Sequence, residues 1–181
     1  MDDVELTAAG LRLRAWRDED APAVLAALAD PMIDRWNGQG VTDLARALDW
    51  VRWRADRTSG TRLSLAVTDE TDALLGAVSL NDIRGENASI GYWTAAEARG
   101  RGVALRAVTV LTAWGFREHG LHRIELCHAV ANPASCRVAE RAGYRLEGTL
   151  RESHVYGDGH RHDEHLHVRL TTDPHPALGP R

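Results

Sequence analysis

The residue types best suited to chemistry sit around two glycines. Gly100 and Gly102 bracket Arg101, after the run Ile90-Gly91-Tyr92-Trp93-Thr94 and just before Val103-Ala104. The run before them is β-branched and aromatic, which suits a strand. Beyond them Ala104, Ala107, Val108, Leu111 and Trp114 recur at helical spacing, so a helix with one buried face starts at the turn. Glycine lets the backbone approach a ligand closely and point successive N–H groups outward. A helix N-terminus adds the positive end of its dipole. Strand, turn and helix together can hold an anion, most naturally a phosphate or pyrophosphate. Arg99 and Arg101 add charge at the rim. The stretch lacks the Gly-Lys-Ser/Thr ending of a Walker loop and the full Gly-x-Gly-x-x-Gly of a dinucleotide fingerprint. A plain strand-to-helix corner is the alternative reading of such glycines.

A second constellation follows. Asn132-Pro133-Ala134-Ser135 has a cap residue and a first-turn proline in their proper places, so a short helix starts here and runs to Gly143. His128 points inward on the strand before it. Four further histidines, His160, His162, His165 and His167, invite a metal reading. Strand alternation puts His165 and His167 on one face and His160 and His162 on the other. No fixed tetrahedral set emerges, and Cys127 and Cys136 lie in other segments, so no metal is expected.

The elements that must position these residues read as follows. Residues 11–16 alternate cleanly and form a first strand with one wet face. A helix capped by Asp18 or Asp20 carries Val24, Leu25 and Leu28 and ends before Pro31. Residues 30–41, with Pro31, Trp36, Gly38 and Gly40, read as a loop. A second helix starts at Thr42-Asp43 with Leu44, Leu48, Val51 and Trp50 or Trp53. Residues 62–67, 74–80 and 88–94 read as three antiparallel strands separated by turn chemistry. The helix after the glycines ends near His119-Gly120, a good C-terminal glycine. Residues 123–130 form a strand, and residues 144–155 and 162–170 a closing hairpin across Tyr156-Gly157-Asp158-Gly159. Residues 173–181, with three prolines, read as a loose tail.

A chain of 181 residues with 44% hydrophobic and 27% charged residues suits one soluble α/β domain spanning 1–181, with its core over about residues 10–170. The net charge of -4 has the wrong sign for a nucleic-acid groove. It is compatible with a cationic acceptor. Two cysteines cannot build a disulfide framework, which points to a reducing, cytoplasmic home. Met1-Asp2-Asp3 does not begin a signal peptide, and no apolar stretch is long enough for a membrane span. All 22 basic residues are arginine, a composition bias to which no function attaches.

Arg99-Gly100-Arg101-Gly102-Val103-Ala104 resembles the acyl-CoA signature of the GCN5-related N-acetyltransferases (GNAT), Arg/Gln-x-x-Gly-x-Gly/Ala. The preceding Ile90-Gly91-Tyr92-Trp93 is similar to the RimJ/RimL-like branch, which acetylates ribosomal-protein N-termini and related amines. The order of elements over about residues 10–170 resembles that fold as well. It implies a mixed, mostly antiparallel sheet of about seven strands with about four helices, splayed between residues 88–94 and 122–130. It also implies acetyl-CoA as acyl donor. Its pyrophosphate would lie on the backbone of Arg99, Gly100, Arg101, Gly102, Val103 and Ala104, and its pantetheine arm in the splay beside His128. An N–H near Tyr92, Trp93 or Thr94 would face the thioester oxygen. Asn132 and Ser135 match the family's second CoA segment; Asn132 would hold the pantetheine amides and Ser135 protonate the departing thiolate. Ala139 stands where many relatives carry an acid tyrosine, which favours Ser135. The branch's glutamate base falls at His154, with Glu152 and Glu86 as fallbacks. Trp36 would wall the acceptor site. The implied acceptor is a protein N-terminal or small-molecule amine, and relatives that pair imply a homodimer. A succinyl-CoA acyltransferase and a non-catalytic acyl-CoA sensor are the alternatives.

Overall fold

The computed structural model describes residues 4–176. Its centre is one eight-stranded sheet: β1 (Leu6–Ala8), β2 (Leu11–Arg14), β3 (Leu63–Thr68), β4 (Leu74–Arg84), β5 (Asn87–Thr94), β6 (Arg123–Ala129), β7 (Arg145–Val155) and β8 (Arg161–Leu170). The spatial order is β1-β2-β3-β4-β5-β6-β8-β7, and every pairing is antiparallel except β5 with β6. Five helices flank it: α1 (Ala21–Leu28), α2 (Pro31–Asn37), α3 (Leu44–Ala55), α4 (Val103–Arg117) and α5 (Pro133–Arg141). Among the described residues there is one more strand and one more helix than expected.

Both faces of the sheet are covered at its centre, while β7 at the edge is exposed along almost its whole length. Leu13, Leu65, Val78, Leu80, Ile90 and Ile124 pack against Val108 and Leu111 of α4. On the other face Ala66, Ala77 and Trp93 pack with Val24 of α1 and Trp50 and Val51 of α3. The strand Leu63–Thr68 is buried at every residue, as its nearly unbroken apolar run requires.

The two additions have local causes. Residues 30–41 hold α2, because Asp30 caps it by accepting from the Met32 and Ile33 N–H groups and Pro31 stands at its first position. The proline is therefore the start of a helix as well as the end of one. The first strand is also preceded by a partner: Leu6–Ala8 pairs with Leu11–Leu13 across a turn at Gly10, whose φ is +70°. The wet face expected for β2 is only partly wet. Arg14 is 3% exposed, held by Asp20 at 2.8 Å and Asp72 at 2.7 Å. Of the expected loose tail, Pro176 lies 3.5 Å from where a Cβ on Gly143 would stand, and residues 177–181 fall outside the described residues.

Two features position the site. β5 and β6 pair only through Asn87, Ala88 and Ser89 with Arg123, Ile124 and Glu125; beyond that the strands part, leaving Ile90–Thr94 unpaired on that side. This is the expected splay. At the far edge, the β7–β8 hairpin tip docks on α2. The Gly157 N–H donates to the Arg35 carbonyl at 2.9 Å, and a Cβ on Gly157 would lie 1.8 Å from the Asp34 carbonyl oxygen. Only glycine permits that approach.

Candidate active site

A cavity of about 470 Å³ opens where β5 and β6 part. Its walls come from four places: Tyr92, Trp93 and Thr94 at the end of β5; Arg99 to Leu105 around the glycine turn, with Arg101 outside the lining; Asn132 to Arg141 on α5; and Met32, Ile33, Trp36 and Asn37 on α2. Gly100 and Gly102 adopt φ of +73° and +70°, and a Cβ added at either would meet nothing within 4 Å. Backbone conformation, not crowding, is what demands glycine there. Gly102 is the cap residue of α4, and no side chain caps the helix. Its first N–H groups are therefore available to a ligand.

Three buried polar atoms in the β5 part of the wall lack hydrogen-bond partners: Tyr92 Oη, Trp93 Nε1 and Thr94 Oγ1. Buried polar groups are normally paired; Tyr92 and Thr94 share one strand face, while the Trp93 ring turns to the other, towards Trp50. Burial pushes the Tyr92 phenol up to about 12, with the Ser135 hydroxyl pulling the other way, although no well-formed hydrogen bond joins the two. Gly76, opposite Thr94 in the sheet, permits close packing on this strand; a Cβ there would lie 2.3 Å from the Trp93 carbonyl. Asn132 caps α5 by accepting from the Ser135 N–H at 3.3 Å. At the rim Arg99 pairs with Asp30 at 2.5 Å, and this contact holds the Asp30 carboxyl below its ordinary range.

Most of the residues singled out by sequence thus face one cavity: Trp36, Tyr92, Trp93, Thr94, Arg99, Gly100, Gly102, Val103, Ala104, Asn132 and Ser135. Others do not. His154 is exposed on β7, its ring 4.7 Å from Tyr156, which in turn lies 5.5 Å from Trp36. It stands two rings back from the lining. Glu152 is exposed on the same strand. Glu86 lies at the far end of β5, where its carbonyl accepts from the His122 and Arg123 N–H groups. Among the described residues, none that lines the cavity carries a carboxylate or an imidazole. His128 is buried away from the lining, with its ring stacked on His167 at 5.1 Å. Cys136, which the sequence places apart from the histidines, comes within 3.9 Å of His167 Nε2.

The lining residues missed by sequence reasoning include Met32, Ile33 and Asn37, on the unforeseen α2, Ala98 and Leu105 on either side of the glycine turn, and Ala134, Arg137, Val138 and Arg141 on α5. The four on α5 do carry a signal: they recur at spacings of three and four, so one helix face meets the cavity.

The acetyltransferase (GNAT) domain family model matches residues 10–145. YdaF of Bacillus subtilis, whose name places it among ribosomal N-acetyltransferases, is 37% identical over 117 residues, covering 64% of this chain and 61% of its own. This chain therefore spans about three-fifths of that relative's length. The uncharacterized N-acetyltransferase p20 of Bacillus licheniformis is 32% identical over 148 residues, covering 78% of this chain and 83% of its own. Among solved structures, Mycobacterium smegmatis RimJ in complex with CoA-disulfide is 25% identical, with a TM-score of 0.82, covering 89% of this chain and 82% of its own.

Proposed function

We propose, on the premise that this chain belongs to the acetyltransferase (GNAT) domain family, that it transfers an acetyl group from acetyl-CoA to a primary amine by direct attack. The observation that carries the proposal is the convergence of the splayed strands, the uncapped glycine turn and the Asn132–Ser135 helix start on one cavity. The donor pyrophosphate takes the N–H groups from Gly100 to Ala104, with Arg99 at the rim. The pantetheine arm lies along the open edge of β5, near the orphaned Tyr92, Trp93 and Thr94 groups. A β5 backbone N–H facing the thioester oxygen stabilises the charge that develops there.

The bond changes are simple. The neutral amine attacks the thioester carbon, the C–N bond forms, and the C–S bond breaks. The amine loses one proton to solvent, and the thiolate receives one from the Ser135 hydroxyl, which water then restores. His154, two rings from the cavity, reaches the amine only through water, so its contribution is smaller than that of Ser135.

The acceptor enters along α2, past Trp36 and the hairpin tip that docks there. A protein N-terminal amine is the first choice, on the relationship to YdaF. A small-molecule amine is the second. Thiol release from acetyl-CoA, against a panel of Ser- and Ala-starting peptides, polyamines and aminoglycosides, tests this reading. Turnover on one amine class is expected, with succinyl-CoA as the control donor. Binding of acetyl-CoA without turnover on any amine would replace the enzyme with an acyl-CoA sensor.

A further inference from the structure

Behind α5, on the sheet face that carries Leu126, four potential metal ligands converge. His128 of β6, His165 and His167 of β8 and Cys136 of α5 each offer one atom, and all four atoms lie within 4.8 Å of one another. Strand register explains the three histidines. His128 is directly opposite His165, and Leu126 opposite His167, so all three rings share one face. Cys136, in the first turn of α5, closes over them, its Sγ 3.9 Å from His167 Nε2.

Packing alone is the plainer explanation, and the rings do stack: His128 on His167 at 5.1 Å, and edge-on to His165 at 5.5 Å. Stacking leaves the nitrogen lone pairs unanswered. The His128 Nδ1 lies 2.9 Å from the Ala129 carbonyl, where only an N–H fits, so its Nε2 carries a lone pair. That Nε2 is buried without a partner among the described residues, on a residue only 5% exposed. His165 Nδ1 is buried without a partner too. A carbonyl that fixes the tautomer while the other nitrogen waits buried is the usual outer support of a metal-binding histidine. Three imidazoles and one thiolate form a borderline-soft set suited to zinc. Tetrahedral zinc needs its nitrogen and sulfur ligands about 3.4–3.6 Å apart, so the widest pair must close by about 1.2–1.4 Å at most.

We propose that His128, Cys136, His165 and His167 form a zinc-type divalent-cation site that ties the start of α5 to β6 and β8. Binding displaces the Cys136 thiol proton to solvent and forms one sulfur and three nitrogen bonds to the cation. Cys136 follows Ser135 directly, so occupancy also holds the Ser135 helix turn in place. That last consequence rests on the acetyltransferase reading; the cation site does not.

The test is spectroscopic. The full chain, free of any affinity tag and stripped of metal by chelator, is titrated with Co²⁺. The expected result is one equivalent bound, with a near-ultraviolet thiolate-to-cobalt band and intense visible bands of a tetrahedral ion, all displaced by Zn²⁺. Cys136→Ser abolishes the near-ultraviolet band, and His165→Gln weakens binding at least tenfold. Cys127→Ser and the double variant His160→Gln/His162→Gln leave both unchanged. Should Cys136→Ser fail to fold, the unmodified chain decides: Zn²⁺ at about 100 times Kd raises Tm by about 5–10 °C. No Tm rise and no thiolate band, or a band that survives in Cys136→Ser or vanishes in Cys127→Ser, overturns the proposal. None of these readouts depends on turnover.

Discussion

Gly100 and Gly102 hold left-handed backbone conformations that cost a residue with a side chain about 1–2 kcal/mol each. Gly102→Val is therefore expected to lower stability by about that amount. It should also weaken acetyl-CoA binding at least tenfold by calorimetry, because the N–H groups it presents turn away. Ser135→Ala leaves the Asn132 cap intact, since the cap uses the Ser135 backbone N–H. It is expected to lower kcat by about 10² with the acetyl-CoA Kd unchanged in direct titration. His154→Gln, exposed and off the lining, should cost less than Ser135→Ala in the same assay. The glycine turn and the cap were legible in the sequence because each depends on neighbours in the chain. The meeting of His128, Cys136, His165 and His167 was not, because it depends on the β6–β8 register and on where α5 comes to rest.

The docked hairpin and the anchored β2 each stake a prediction on one contact between elements. Gly157→Ala drives a methyl into the Asp34 carbonyl and should separate the β7–β8 tip from α2, at about 1–3 kcal/mol. A raised KM for the acceptor amine and an unchanged Kd for acetyl-CoA are expected, because the tip touches α2 at Asp34 and Arg35 while the donor is held by the backbone N–H groups of the glycine turn. On the opposite side, the Arg14 guanidinium, hydrogen-bonded to Asp72, holds that carboxyl below its ordinary range. A lowered folded-state value means the stabilisation is fully present above the ordinary carboxylate range and is lost as pH falls through the lowered value. Asp72→Asn should thus cost about 1 kcal/mol at neutral pH, a figure discounted for the exposure of Asp72. In urea titrations that difference should vanish in strong acid; a difference that persists there contradicts the assignment. Periodicity revealed α1, α3, α4 and most strands. It missed α2, where Pro31, Gly38 and a single tryptophan read as loop chemistry while the Asp30 cap outweighed them. It missed β1 because three residues are too short for an alternating pattern.

Across the whole molecule, the proposed function depends on one departure from regular pairing. β5 and β6 start together and separate after Ser89 and Glu125, and the gap meets the N-termini of α4 and α5. The resemblance to the acetyltransferase family made that splay foreseeable, yet it does not specify what closes the cavity, which here is α2 held by a glycine at a hairpin tip distant in sequence. The most direct measurement is a calorimetric titration of the intact chain with acetyl-CoA, run beside Gly102→Val and followed by thiol release on the amine panel. One binding site per chain is expected, at least tenfold weaker in the variant, with turnover on one amine class. No acetyl-CoA binding, or binding that Gly102→Val leaves unchanged, would contradict the assignment of the glycine turn and the cavity as the donor site.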